Sequence, residues 1–83
     1  MVELYTKEDC SLCERAKQII QRVRQVIPFS YQEIFLSPGT EEEKRFRNDI
    51  PVVLINGSVS FIHRVPEKEF KERLVTLTQQ ESS

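Results

Sequence analysis

The chain's two cysteines, Cys10 and Cys13, stand three positions apart in the segment Cys10-Ser11-Leu12-Cys13. An apolar run at 2–6 comes before them and predicts a strand. A stretch at 11–27 comes after them, and its apolar residues, from Leu12 to Ile27, recur every three or four positions, which predicts a helix with one buried stripe. Arg15 lies among the charged residues of the other face, which is interpreted as solvated. A Cys-x-x-Cys at this strand-to-helix junction constrains the fold strongly, because the strand must end and the helix must begin at the pair. Two thiols one helical turn apart also suit reversible thiol–disulfide exchange.

The start of a helix favours the reactive form of a cysteine. Its first backbone N–H groups have no partner within the helix, and its dipole places partial positive charge there. Both effects stabilise a thiolate, which is the nucleophile in disulfide exchange. The second cysteine of the motif is close enough to resolve a mixed disulfide into an internal one. The sequence therefore predicts Cys10 and Cys13 as a redox pair.

The remaining pattern predicts a small α/β fold. We expect one domain over 1–83, with a loose polar tail at 79–83 and the element order β-α-β-α-β-β-α. Parallel strands joined through a helix, followed by a hairpin, give a four-stranded mixed sheet. The Asn56-Gly57 turn is a strong hairpin signal, and Thr40 with Glu43 fits a helix capping box. The further predicted elements are a strand at 29–36, a helix at 41–48, a strand at 51–55, a strand from 58 with Val59 and Phe61 on one face, and a helix at 66–79.

Composition excludes several classes of function. The chain has 83 residues, of which 39% are hydrophobic and 30% charged, with a net charge of −1. This balance disfavours nucleic acid as a partner, and no apolar run approaches the ~18 residues of a spanning helix. Acidic residues among the first ten disfavour a secretory signal. We therefore expect an intracellular, cytoplasmic protein with no membrane partner, with the mitochondrial matrix left open.

Two segments carry a resemblance to a known family. Residues 4–17, with the sequence LYTKEDCSLCERAK, resemble the opening of a glutaredoxin, and residues 48–57, NDIPVVLING, resemble the glutaredoxin Val-Pro segment and the hairpin after it. The likeness covers nearly the whole chain and is greatest to short glutaredoxin-like proteins of unassigned function. It implies the thioredoxin-like fold.

The resemblance implies a role for each matching residue. Cys10 is the attacking thiol and Cys13 the resolving one. Lys7, Leu12, Ile50 and Pro51 are expected to bind substrate: Lys7 near the thiolate, and Ile50 through its backbone beside a cis Pro51. From the sequence alone, Pro51 also fits an ordinary trans proline at a strand start, and Lys7 also fits a solvated lysine.

Two regions depart from the family pattern. Typical glutaredoxins carry a Gly-Gly pair and an acidic residue after the last strand, and these hold the γ-glutamyl end of glutathione. Here that region is IHRVPE at 62–67, where Arg64 can instead meet a carboxylate. Glu8 and Asp9 directly before Cys10 disfavour a thiolate and repel an anionic tripeptide.

Three functions remain open at this point. The first is a dithiol oxidoreductase acting on protein or low-molecular-weight disulfides and recycled by glutathione or a thioredoxin-type reductase. The second is an iron–sulfur cluster carrier, and the third is a redox-silent interaction module. A zinc site is disfavoured, because the two cysteines and His63 supply three ligands where zinc takes four. We expect a monomer with no metal and no tightly bound cofactor.

Overall fold

The computed structural model describes the backbone of residues 1–81 and the side chains of residues 1–77. The predicted element order is confirmed. The elements are β1 (Val2–Thr6), α1 (Ser11–Arg24), β2 (Tyr31–Phe35), α2 (Glu41–Phe46), β3 (Val52–Ile55), β4 (Ser58–Ile62) and α3 (Glu67–Glu81).

The four strands form one mixed sheet in the order β2-β1-β3-β4. β1 pairs in parallel with β2 and antiparallel with β3, and β3 pairs antiparallel with β4. A parallel pair needs a crossover connection, which α1 supplies. The predicted α/β fold with a four-stranded mixed sheet is confirmed.

The main core lies between the sheet and the two long helices. Alternate residues of β1 are buried, and the first two of them, Val2 and Leu4, pack in this core. The buried members of the core are Val2, Leu4, Ala16, Ile20, Val23, Val53, Ile55, Val65, Phe70 and Leu74.

A smaller core lies on the opposite face, under α2. Phe46 packs there with Val52 and Leu54, and its ring stacks on Tyr5 with centroids 5.0 Å apart. The cap of α2 is half of the predicted capping box: the Glu43 N–H donates to Thr40 Oγ1 at 3.2 Å, whereas the Glu43 carboxylate accepts from the Gly39 N–H. The short helix is therefore held by its cap and by one aromatic anchor.

Helix α1 ends at Arg24, three residues before the end predicted from the apolar pattern. Pro28 disfavours helical backbone at the residue before it, so the last turn cannot continue to Ile27. The chain closes instead with turn bonds, in which the Gln25 N–H donates to the Arg22 carbonyl and the Ile27 N–H to the Val23 carbonyl.

The β3–β4 hairpin turns at Asn56 and Gly57, which have φ angles of 52° and 84°. Two positive φ angles are what an Asn-Gly hairpin turn requires. The register shifts between Val53 and Leu54, so that Val53 faces Phe61 while Leu54 faces Val59. This bulge makes the prediction of a shared face for Val59 and Phe61 wrong: Phe61 packs on the core, whereas Val59 is 46% exposed.

Helix α3 extends to Glu81, so the first three positions of the predicted tail, 79–81, are helical. Positions 82 and 83 of that tail lie outside the described residues. Within residues 1–81, no helix is long and apolar enough to cross a membrane.

Tyr31 brings a hydroxyl into the edge of the main core. The hydroxyl oxygen is buried and has no hydrogen-bond partner among the described residues. Burial, followed by the charge of Glu33, raises the pKa of Tyr31 to about 12, although the Arg24 guanidinium, 5.9 Å from the ring centroid, acts in the opposite direction. The fold therefore favours the neutral phenol.

We expect Tyr31→Phe to raise the free energy of unfolding by up to about 1 kcal/mol, because it removes a buried hydroxyl that lacks a partner. The phenol ionises near pH 10 when unfolded and near 12 when folded. The stability that the wild-type protein gains by keeping this phenol neutral is therefore fully present below pH 10 and is lost as the pH rises through 12. The gap between Tyr31→Phe and wild type should therefore be larger at pH 11 than at pH 8. Urea midpoints measured at pH 8 and pH 11 test both points. An equal gap between variant and wild type at the two pH values would contradict the pH dependence.

Candidate active site

The cysteine pair lies where β1 ends and α1 begins. Cys10 is the N-cap of α1, with extended backbone angles (φ −117°, ψ 103°). Its Sγ accepts a hydrogen bond from the Cys13 backbone N–H at 3.2 Å. The sulfur thus takes the place that a serine or aspartate oxygen usually holds at a helix start.

The two cysteines form a disulfide and differ in exposure. Their Cα atoms are 5.2 Å apart. Cys10 is half-buried, whereas Cys13 is only 3% exposed and lies on the inner face of α1. A substrate therefore has access to the Cys10 sulfur, and the Cys13 sulfur is placed to react with Cys10.

The loop before the pair carries three exposed charges, on Lys7, Glu8 and Asp9. Asp9 has a φ of 54°, a left-handed conformation that aspartate tolerates better than most residues. Among the side chains that the structure describes, none of the three forms an ion pair. Their charges are therefore free to act on the neighbouring sulfur, one favouring the thiolate and two opposing it.

The peptide bond between Ile50 and Pro51 is cis, as the resemblance implies. Pro51 is buried, and its carbonyl accepts from the His63 N–H at 2.9 Å. Ile50 is half-buried and lies two residues before Val52, where the β3 ladder begins. Within residues 1–81, its backbone N–H and carbonyl make no hydrogen bond. An edge of free backbone therefore precedes β3.

Two cavities contain three of the predicted substrate-binding residues. We name them the Lys7 cleft, of about 570 Å³, and the Arg64 groove, of about 450 Å³. Lys7 and Ile50 line the first, and Leu12 lines the second. The Lys7 cleft is lined by Lys7, Leu36, Pro38, Glu43, Arg47, Asn48 and Ile50. The Arg64 groove is lined by Leu12, Arg15, Ala16, Ile19, His63, Arg64, Val65 and Pro66.

The placement of Leu12 differs from the sequence expectation. The helical period put Leu12 in the buried stripe of α1, but it is 48% exposed. It stands in the first turn of α1 and lines the Arg64 groove instead of the main core. Arg15, interpreted from the sequence as part of a solvated face, shares the groove with Leu12 because residues three apart lie on one side of a helix.

Thr6 is buried at the end of the strand that leads to the cysteine pair. It ends β1, is 1% exposed, and its hydroxyl has no hydrogen-bond partner among the described residues. No sequence signal separates a buried strand-end threonine from an exposed one. Among the described side chains, those of residues 1–77, no group of three or more His, Cys, Asp or Glu is suited to a metal ion.

Glu67 is the acidic residue that follows the last strand. Its carboxylate forms an ion pair with Arg22 of α1, with an N–O distance of 2.7 Å. This ion pair joins the start of α3 to the last turns of α1, and it neutralises the charge of Glu67. The Glu67 carboxylate thus faces Arg22 of α1, whereas Arg64 lines the groove.

Comparisons with known proteins agree with this architecture. Residues 1–75 match the family described as "Glutaredoxin-like domain (DUF836)". The chain is 31% identical over 86 residues to the Glutaredoxin-like protein YDR286C homolog of Dictyostelium discoideum, covering 96% of this chain and 80% of that protein.

Two solved structures share the fold. One is the X-ray structure of target protein XcR50 from X. campestris, with a TM-score of 0.76, 17% identity, and coverage of 92% of this chain and 97% of that one. The other is thioredoxin 1 from Thermosipho africanus TCF52B, with a TM-score of 0.71, 13% identity, and coverage of 99% and 98%. The thioredoxin-like fold expected from the sequence is confirmed, and the match over 1–75 shows that the chain belongs to the glutaredoxin-like domain family.

Proposed function

We propose that this protein is a dithiol thiol–disulfide oxidoreductase, with Cys10 as the attacking residue and Cys13 as the resolving one. The observation that carries the proposal is the unequal pair at the start of α1: a half-buried Cys10, whose sulfur accepts a hydrogen bond from the Cys13 N–H, and a buried Cys13. Membership of a glutaredoxin-like family supports the same chemistry.

The helix start supplies the activation of Cys10. In the reduced protein, the Cys13 N–H that now lies 3.2 Å from Cys10 Sγ is positioned to donate to a thiolate. Hydrogen bonds to a charged acceptor are stronger than those to a neutral one. The N–H and the helix dipole therefore favour ionised Cys10 over ionised Cys13, whose sulfur is buried.

The reaction needs two exchanges. The Cys10 thiolate attacks one sulfur of the substrate disulfide, forms a mixed disulfide and releases the other substrate sulfur as a thiolate, which takes up a proton. Cys13 then loses its proton and attacks the Cys10 sulfur, releasing the second substrate thiol. The substrate gains two electrons and two protons, and the pair becomes the Cys10–Cys13 disulfide.

The free backbone at Ile50 supports a way of holding a substrate. An extended peptide can add to an unpaired backbone edge through main-chain hydrogen bonds. Ile50 offers its N–H and carbonyl just before Pro51 and lines the Lys7 cleft. Lys7 in the same cleft offers a positive charge to a substrate carboxylate. We therefore assign Lys7, Leu12, Ile50 and Pro51 to substrate contact.

The oxidised pair must be reduced again by an outside thiol. Glutathione or a thioredoxin-type reductase fits this role, and neither needs a resident cofactor in this chain. We place the activity in a reducing compartment such as the cytoplasm, because glutathione and thioredoxin keep thiols reduced there. Protein disulfides and low-molecular-weight disulfides are the proposed substrates.

Cys10→Ser and Cys13→Ser separate the two roles. We expect Cys10→Ser to abolish reduction of insulin or hydroxyethyl disulfide, because the attacking sulfur is lost. Cys13→Ser should accumulate a mixed disulfide on Cys10, detected by intact mass under non-reducing conditions. Wild-type protein, treated identically, should show the internal disulfide and no adduct. Equal residual activity in both variants contradicts the assignment.

The loop charges give a paired prediction for the reactivity of Cys10. Lys7→Gln should raise the pKa of the Cys10 thiol, because it removes a positive charge, and Glu8→Gln should lower it for the opposite reason. The measurement is the pH dependence of iodoacetamide alkylation in the Cys13→Ser background. Shifts of the same sign in both variants show that the loop acts through its structure and not through its charge.

A further inference from the structure

The Arg64 groove lies beside the first turn of α1 and extends away from the cysteine pair. Its wall is apolar: Ala16 and Val65 are 1% and 2% exposed, and Leu12, between the cysteines, is 48% exposed. A volume of about 450 Å³ accommodates one or two side chains of a bound ligand. A substrate bonded to Cys10 therefore lies next to this apolar groove, whose lining begins at Leu12, two residues after Cys10.

The groove carries positive charge that the protein does not neutralise. Arg15 and Arg64 are exposed groove residues. Among the side chains that the structure describes, no carboxylate forms an ion pair with either. The nearest acid along the chain from Arg64 is Glu67, which is paired with Arg22. Two guanidinium groups thus remain available for an outside anion.

The loop that carries Arg64 is fixed to the segment that carries the cis proline. The His63 N–H donates to the Pro51 carbonyl at 2.9 Å and to the Asp49 carbonyl at 3.2 Å. The Arg64 N–H donates to the Ile62 carbonyl at 2.8 Å. The backbone at Arg64 is therefore set relative to Pro51 before a ligand binds, which lowers the ordering cost of binding.

We propose that the Arg64 groove selects peptide disulfides in which an acidic residue and an apolar residue flank the reacting cysteine. The apolar side chain lies on Leu12 and Pro66, and the carboxylate meets Arg15 and Arg64, as guanidinium groups bind carboxylates in fork geometry. This inference rests on the proposed oxidoreductase function and names the substrate class of the same site. The backbone of the peptide continues toward Ile50.

Charge and fit both favour a peptide of this kind. Arg15 and Arg64 act on the α1 side of the pair, whereas Glu8 and Asp9 repel anions on the loop before it. A small anionic disulfide meets both influences at once, whereas an extended peptide places its acid in the groove and presents uncharged backbone on the side of the acidic loop. Electrostatic complementarity of this type raises the association rate and decreases with salt.

The test measures single-turnover reduction by pre-reduced protein, so no external reductant enters the reaction. The substrates are symmetrical disulfides of three acetylated, amidated pentapeptides, Glu-Leu-Cys-Leu-Glu, Gln-Leu-Cys-Leu-Gln and Lys-Leu-Cys-Leu-Lys, together with oxidised glutathione and hydroxyethyl disulfide. We expect the acidic peptide to react about tenfold faster than the basic one at low salt, with the difference shrinking at high salt.

The variant Arg15→Gln/Arg64→Gln should bring the ratio between the acidic and the basic peptide close to one; because both rates are measured on the same variant, any change in the reactivity of Cys10 itself cancels from the ratio. The control Lys44→Gln/Lys71→Gln removes the same charge at two lysines outside the groove and should keep the wild-type ratio. Circular dichroism and thermal melting establish that both variants are folded.

The outcomes separate the two proposals. A wild-type protein that reduces none of the five disulfides overturns the oxidoreductase function itself. A protein that reduces hydroxyethyl disulfide but treats the three peptides alike overturns only the groove assignment. So does a ratio that survives in Arg15→Gln/Arg64→Gln, or that is lost equally in the control. A faster reaction with oxidised glutathione than with the acidic peptide overturns the assignment to peptides.

Discussion

Apolar side chains of β1 and α1 bury each other along one face of the sheet, and this contact sets the position of the cysteine pair. Leu4 and Ile20 are completely buried, so the helix cannot slide along the strand without exposing them. With the helix fixed in this way, its first turn stands above the end of β1. Cys10 then caps the helix, and Cys13 faces inward below it. The redox pair is therefore a consequence of core packing.

The same packing gives the two sides of the cysteine pair different chemistry. On one side, the backbone before Pro51 and the charge of Lys7 face the Lys7 cleft. On the other, the exposed first turn of α1 and the loop after β4 enclose the Arg64 groove. In the proposed reaction, a substrate bonded to Cys10 contacts both the cleft and the groove. Backbone contacts on the first side tolerate many sequences, whereas charge on the second side distinguishes among them.

Local rules predicted most of the fold, because each rule depends on a few neighbouring residues. The hairpin at Asn56 and the cap at Thr40 follow from turn and capping preferences alone. The early end of α1, the bulge in β4 and the exposure of Leu12 depend on what packs against each element, and a period along the chain does not contain that information. The cysteine pair was visible as a motif. The groove was not, because the topology alone brings residues 12–19 next to residues 63–66.

The Arg22–Glu67 ion pair connects the fold to specificity. An exposed pair of this kind adds about 0–1 kcal/mol to stability, so its contribution to folding is small. It also affects the surface charge, because it holds the first acid after the last strand away from the groove. An acid there would neutralise Arg64 and attract the amino group of a ligand. With Glu67 held by Arg22, the groove keeps its positive charge, and a carboxylate becomes the group that it recognises.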